Sequence, residues 1–313
     1  MSAAYRTGLL LVLLSAIGYS FFSIFTKTIY DGGLANPLDV LVWRFVLATP
    51  FIWIGVAARG LRRQNKPAQQ VGVPVPRLRL LAMGLLTGVV AMSAFFALER
   101  LPVSLYTVLI YTYPAMVAVG ALFFGERLGL MGWMALAATL VGAVLLLLPG
   151  LVGGFTEIDP LGVVLVFINA LTYSLYILFS SRFLRGVQDQ AQASAWNISG
   201  ALIFVCVILL IRGVNLPPSA SVWAALVGLA LISTAIPIFS FYAGMQQIGP
   251  ARAAIISTIE LVLTLLWAMW LRNELLGLPQ IIGALLVMGS VVLLQLAPAV
   301  PANPTRTAAE VTS

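Results

Sequence analysis

The chain has 313 residues, 61% of them hydrophobic and 9% charged, with a formal net charge of +7 and a mean hydropathy of +1.05. Soluble domains are about 45–50% apolar and about 25% charged, so these values exclude a soluble protein and specify a polytopic membrane protein. One cysteine and no histidine exclude an intrachain disulfide, histidine-dependent zinc sites and every Ser–His or Cys–His mechanism.

Apolar runs of spanning length fall at 8–28, 38–58, 78–98, 103–124, 129–149, 158–181, 194–212, 221–243, 250–271 and 277–297. Each is predicted to be a transmembrane α-helix, because a segment in lipid must satisfy its own backbone. The first run, behind Arg6, has the look of a signal peptide. It is expected to be a retained helix, since its pattern recurs later in the chain. Turn signals separate the runs: DGGLANP, a basic stretch from Arg59 to Arg79, GERLG, PGLVGGFTEIDP, VNLPPSA, QQIGP and RNELLGLP. Residues 1–7 form a short N-terminus, and 299–313 a Pro/Ala/Thr-rich tail expected to be disordered.

Lys and Arg set the expected orientation. With both termini cytoplasmic, the inner set is Arg6, Arg59, Arg62, Arg63, Lys66, Arg77, Arg79, Arg127, Arg182, Arg185, Arg252 and Arg306. The outer set is Lys27, Arg100, Arg212 and Arg272, and Arg44 lies within a span. The basic stretch after helix 2 reads as topology and lipid headgroup contact, not as a nucleic-acid surface. The expected location is the inner membrane, multi-pass, with both ends inside.

The sequence repeats. Helices 3–5 and helices 8–10 match at an offset near 147. Ser15, Tyr19, Phe22 and Thr26 recur 154 residues later as Asn169, Tyr173, Tyr176 and Ser180. The steps of four, three and four put each set on one helix face. Halves at 8–150 and 156–298 hold five spans each. An odd number forces opposite orientations in the bilayer, the inverted-repeat plan of secondary transporters. The expected fold is therefore all-α, with ten transmembrane helices as two inverted five-helix repeats.

Two charges lie inside spans. Glu260 interrupts the run AAIISTIELVLTLLW and shares its helix face with Ser257, Thr264 and Trp267. An acid at the centre of a span costs about 2.5–3.5 kcal/mol on insertion scales. It suits a residue facing a water-filled cavity, as a ligand for an amino group or as a proton carrier. The alternative is a structural lock to a neighbouring helix. Arg44 lies five residues past Asp39. It either snorkels or pairs with Asp39, or it binds an anion such as a substrate carboxylate. Around them the repeated faces supply Tyr19, Phe22, Asn169, Tyr173 and Tyr176; helix 3 adds Phe95, helix 4 adds Tyr111 and Tyr113, and helix 8 adds Tyr242. These aromatics are either packing seams or the lining of a cavity for planar, amphipathic or cationic substrates. Gly84 and Gly88 form GxxxG on helix 3, a close helix contact or a dimer seam.

The order of features resembles EamA-type members of the drug/metabolite transporter superfamily, over nearly the whole chain. The resemblance rests on an arginine early in helix 2 (PLDVLVWRFVLATP), the aromatic–proline pair of helix 4 (YTYPA), the acid at the matching point of helix 9 (TIELV), and Glu-containing turns after helices 4 and 9 (GERLG, RNELLG). It implies a carrier of small metabolites, typically outward, such as amino acids or amphipathic and cationic organic compounds. It departs at Leu261, where family members usually have proline, so no proline kink is expected there. Expected partners are the lipid bilayer, a small-molecule substrate and protons as a candidate coupling ion through Glu260. No metal, cofactor or nucleic acid is expected, nor an enzymatic activity, and the assembly is a monomer or weak homodimer. A primary pump is excluded because no GxxxxGK[ST] occurs. The alternative is a facilitative, channel-like or exchange permease without ion coupling.

Overall fold

The computed structural model describes residues 3–34, 36–63, 75–123, 129–152, 158–183, 187 and 189–296. Among them are ten helices long and apolar enough to cross a membrane: helix 1 (Tyr5–Asp31), helix 2 (Pro37–Gly60), helix 3 (Arg77–Arg100), helix 4 (Val103–Leu122), helix 5 (Leu130–Leu148), helix 6 (Pro160–Ser180), helix 7 (Gln190–Arg212), helix 8 (Ala220–Ile248), helix 9 (Arg252–Arg272) and helix 10 (Leu278–Leu296). The ends of the predicted runs hold to within a few residues. The expected tail, and Glu126 in the turn after helix 4, lie outside the described residues.

Packing follows the sequence repeat. Helix 1 lies on helices 8 and 9, helix 6 lies on helices 3 and 4, and helix 5 pairs with helix 10. Exchanging the halves maps this pattern onto itself. Glycines permit the closest approaches. A Cβ on Gly84 would stand 2.1 Å from the Asn197 carbonyl, and one on Gly200 would stand 2.2 Å from the Leu81 carbonyl. The GxxxG pattern therefore seats helix 3 on helix 7 within the chain.

Three spans are broken near their middles. Helix 1 consists of Ala3–Ser20 and Phe22–Asp31, helix 4 of Val103–Ile110 and Tyr113–Leu122, and helix 9 of Pro250–Ser257 and Ile259–Arg272. In helix 4 the cause is Pro114, which has no N–H to continue the ladder. Helix 9 breaks without a proline. Its hinge residue Thr258 has φ −63° and ψ −16°, and its carbonyl accepts from Leu261 N at 3.2 Å, a tighter i→i+3 turn. Adding the repeat offset of 147 to Tyr111, in the helix 4 break, gives Thr258. A helix break is thus present without the proline, two residues before Glu260. Helix 8 adds a π-turn over Leu231–Ala235, followed by Pro237.

One end of the bundle is tied by charges, and each tie joins the two halves. Arg272 pairs with Asp31, Arg212 with Asp39 at 3.2 Å, and Arg100 with Asp159 at 2.9 Å. Glu274 accepts hydrogen bonds from Val103 N at 2.8 Å and Ser104 N at 2.7 Å, capping helix 4 where its N–H groups have no helical partner.

Candidate functional site: an aromatic cage at the helix breaks

The breaks of helices 1, 4 and 9 surround a cluster of tyrosines. Tyr111 lies 5.9 Å from Tyr113 between ring centroids, Tyr113 meets Tyr173 edge-on at 4.8 Å, and Tyr173 stacks on Tyr176 at 6.1 Å. Tyr19 is within electrostatic reach of Tyr242, Glu260, Arg44 and Tyr176. Tyr19, Tyr111, Tyr113, Tyr173, Tyr176 and Glu260 lie deep in the bundle yet keep accessible surface. The two repeated faces, from helices 1 and 6, therefore meet in one place.

Glu260 points to this cage from just past the helix 9 break. The Tyr111 hydroxyl lies beside its carboxyl group, so helices 4 and 9 meet here. Among the described residues no lysine or arginine pairs with it. A hydroxyl neighbour of this kind suits the structural-lock alternative, and Glu260 also keeps part of its surface accessible.

Arg44 stands on the other side of Tyr19. Its Nε donates to Thr234 Oγ1 at 3.2 Å. Thr234 belongs to the π-turn, and its own hydroxyl donates to the Leu229 carbonyl at 2.9 Å, which turns a lone pair toward the guanidinium. Three rings flank the cation: Phe22 at 4.7 Å, Phe45 at 5.5 Å and Phe95 at 5.7 Å. Each such contact contributes about 0.5–2 kcal/mol. Pairing with Asp39, one of the sequence-based alternatives, is not what forms. Asp39 is occupied by Arg212 and by Asn215 Nδ2 at 2.7 Å. Arg44 and Glu260 are thus two partly buried ionisable side chains of opposite type, among the described residues held by neutral groups and not paired with each other, with Tyr19 and Tyr106 in reach of both.

The remaining sequence candidates divide. Phe95 is fully buried and forms a wall against Phe22, 5.6 Å away. Asn169 is 2% exposed and supports rather than lines the cage. Its Nδ2 donates to Val90 O at 2.6 Å and Ser93 Oγ at 3.1 Å, and its Oδ1 accepts from Tyr106 at 3.2 Å. Ser257 donates back to Ala253 O at 2.8 Å, satisfying its hydroxyl beside the break. Trp267 lies against helix 1, stacked on Phe21 at 4.9 Å with its indole N–H donating to Ser20 Oγ at 2.9 Å. Thr234 was not singled out from the sequence. The signal available was the Ser-Thr pair at 233–234 followed by Pro237.

Comparison with known proteins agrees with this architecture. The profile of the EamA-like transporter family matches twice, over residues 6–148 and 160–296. An uncharacterized transporter of Archaeoglobus fulgidus is 23% identical over 288 residues, covering 92% of this chain and 96% of its own. The uncharacterized transporter YcbK of Bacillus subtilis is 26% identical over 299 residues, covering 88% of each. The uncharacterized inner membrane transporter YedA of Escherichia coli is 23% identical over 70% of this chain and 69% of its own. A solved crystal structure superimposes with a TM-score of 0.62 at 17% identity, over 98% of this chain and 99% of that one, and shares the fold.

Proposed function

This chain belongs to the EamA-like transporter family of the drug/metabolite transporter superfamily, and from that premise we propose that it exports small molecules carrying both an amino group and a carboxylate, next to a planar or apolar body. The observation that carries this reading is the pair of partly buried ionisable side chains, Arg44 and Glu260, neither of which pairs with the other. A buried ion is costly unless compensated, so Arg44 and Glu260 favour a ligand that brings the opposite charge to each. A zwitterion does so in one molecule. The tyrosines between them offer ring faces to its cationic and apolar parts. Glu260 doubles as the candidate proton carrier, because a proton can replace the substrate's amino group in neutralising it.

The two halves act as inverted repeats around this site, and alternating access proceeds by movement at the broken helices. The exchange symmetry of the packing supports this arrangement. The excess of twelve cationic residues over four supports cytoplasmic termini.

The test is transport in liposomes holding the purified protein, with a set of amino acids as labelled substrates. For each, two analogues compete: the amine without its carboxylate and the acid without its amine. The expected result is saturable flux, strong competition by the zwitterion, and competition weaker by about tenfold or more from each analogue, since each leaves one buried charge unmatched. Equal competition by the amine alone would shift the substrate class to organic cations. Flux without saturation would favour the channel-like alternative.

A further inference from the structure

Helix 10 packs along helix 5 and touches helix 9 only thinly. A cleft of about 610 Å³ is left between helices 1, 9 and 10. Leu13, Ile259, Val262, Leu285 and Met288 line it, together with Tyr111 of helix 4. Leu285 is 59% exposed, and Ile259 and Val262 are each 39% exposed, so the cleft opens on the lipid-facing surface. Ile259 is seven residues into helix 9 and Leu285 seven into helix 10, about ten ångströms from the helix ends at about 1.5 Å per residue. That is hydrocarbon depth, where water does not cover a surface.

We propose that a phospholipid acyl chain seats in this cleft and completes the wall of the central cage at Tyr111. The lining decides the occupant. Tyr111 and Thr258 are the only polar residues among the lining side chains. A charged or strongly polar molecule would leave its own groups unmatched here, whereas a hydrocarbon chain has none to match. The depth matches the acyl region. A Cβ added to Gly289, which lines the cleft, meets nothing within 4 Å, so among the described residues nothing packs at this point. One wall of the cleft is the helix 9 break itself. A chain lodged there props the hinge that aims Glu260, and the bilayer becomes part of the binding site.

The experiment uses the full protein in phosphatidylethanolamine/phosphatidylglycerol vesicles doped with a phosphatidylcholine that bears a photoactivatable diazirine in mid-chain. After illumination, label on Leu13, Ile259 and Met288 is compared with label on two ordinary lipid-facing residues, Leu140 and Leu210, which are 69% and 86% exposed. The expected result is at least a threefold enrichment in the cleft. Gly289→Leu fills the rim and favours the helix, so it is expected to fold, to remove the enrichment and to leave Leu140 and Leu210 labelled as before. Even labelling of all five residues, or enrichment unmoved by Gly289→Leu, overturns the proposal. So does efficient disulfide cross-linking between copies through Met288→Cys in a Cys206→Ala background, which would assign the cleft to a second copy. No substrate is present in any arm, so this result and the transport reading fail independently.

Discussion

The tied end of the bundle and its centre use charge in opposite ways. At the end, Asp31, Asp39, Asp159 and Glu274 each have a cation or a helix N-terminus as partner. At the centre, Arg44 and Glu260 rest on a threonine, a tyrosine and ring faces. A charge matched within the chain supports the fold or a closed state. A charge left with neutral neighbours inside a membrane protein retains its capacity for a ligand. Under the proposed function, the difference separates the residues that hold the halves together from those assigned to the ligand.

The largest expected effect tests the centre. Glu260→Gln keeps the size and most of the hydrogen-bonding capacity but removes the charge. Transport should fall by about tenfold to a hundredfold, the loss expected when a charged hydrogen bond of about 1.5–3 kcal/mol is removed. The protein should still fold, because Gln can keep the contact with Tyr111. If Glu260 carries the proton, the variant loses pH-driven uptake while retaining substrate exchange. If it binds the substrate amino group, exchange fails as well. Full pH-driven transport at verified protein content would return Glu260 to the structural residues, and the contrast between centre and end would collapse.

A middle-sized effect tests whether the rings between the charges bind or merely pack. Tyr19→Ala and Tyr173→Ala should each raise KM about threefold to tenfold, consistent with about 0.5–1.5 kcal/mol for a lost aromatic contact. Expression and thermal stability should stay close to those of the parent. Tyr173→Phe keeps the ring and should retain most of the affinity. An unchanged KM in both alanine variants would make the matched faces of helices 1 and 6 a packing seam.

How legible these regions are in the sequence follows from their physics. The spans are visible because hydrocarbon demands about 20 apolar residues in a row. The paired faces of helices 1 and 6 are visible because the repeat copies Tyr19 and Phe22 onto Tyr173 and Tyr176. The helix 4 break is visible through Pro114. The breaks at Phe21 and Thr258 are not, since residues of ordinary helical tolerance occupy them and tertiary contacts set the turn. The partner of Arg44 is hidden for the same reason. Asp39 is five residues away in the chain, but Arg212 reaches it first in space, and Thr234 approaches only because the π-turn shifts helix 8 out of register.

The smallest expected effect is at the tied end, at Arg100 and Asp159. The hydrogen bond from Arg100 holds the Asp159 carboxyl below the usual carboxylate range, and the backbone N–H groups of Leu161 and Gly162 add to it. The two side chains are 38% and 34% exposed, so water screens the pair. Asp159 also caps helix 6 through Leu161 N at 2.8 Å, a contact that does not need the arginine. A carboxyl lowered in the folded state stabilises above its unfolded value of about 3.9, and that contribution is lost as pH falls through the folded value. Arg100→Gln should therefore leave transport near the parent level between pH 6 and 8. It should lower the thermal midpoint slightly at neutral pH, and the gap should close only as the pH falls through the lowered folded value of Asp159, where the carboxylate becomes protonated in the parent as well. A large transport defect at neutral pH would mean that this exposed pair takes part in opening the tied end, and that charges matched within the chain are not confined to holding the fold.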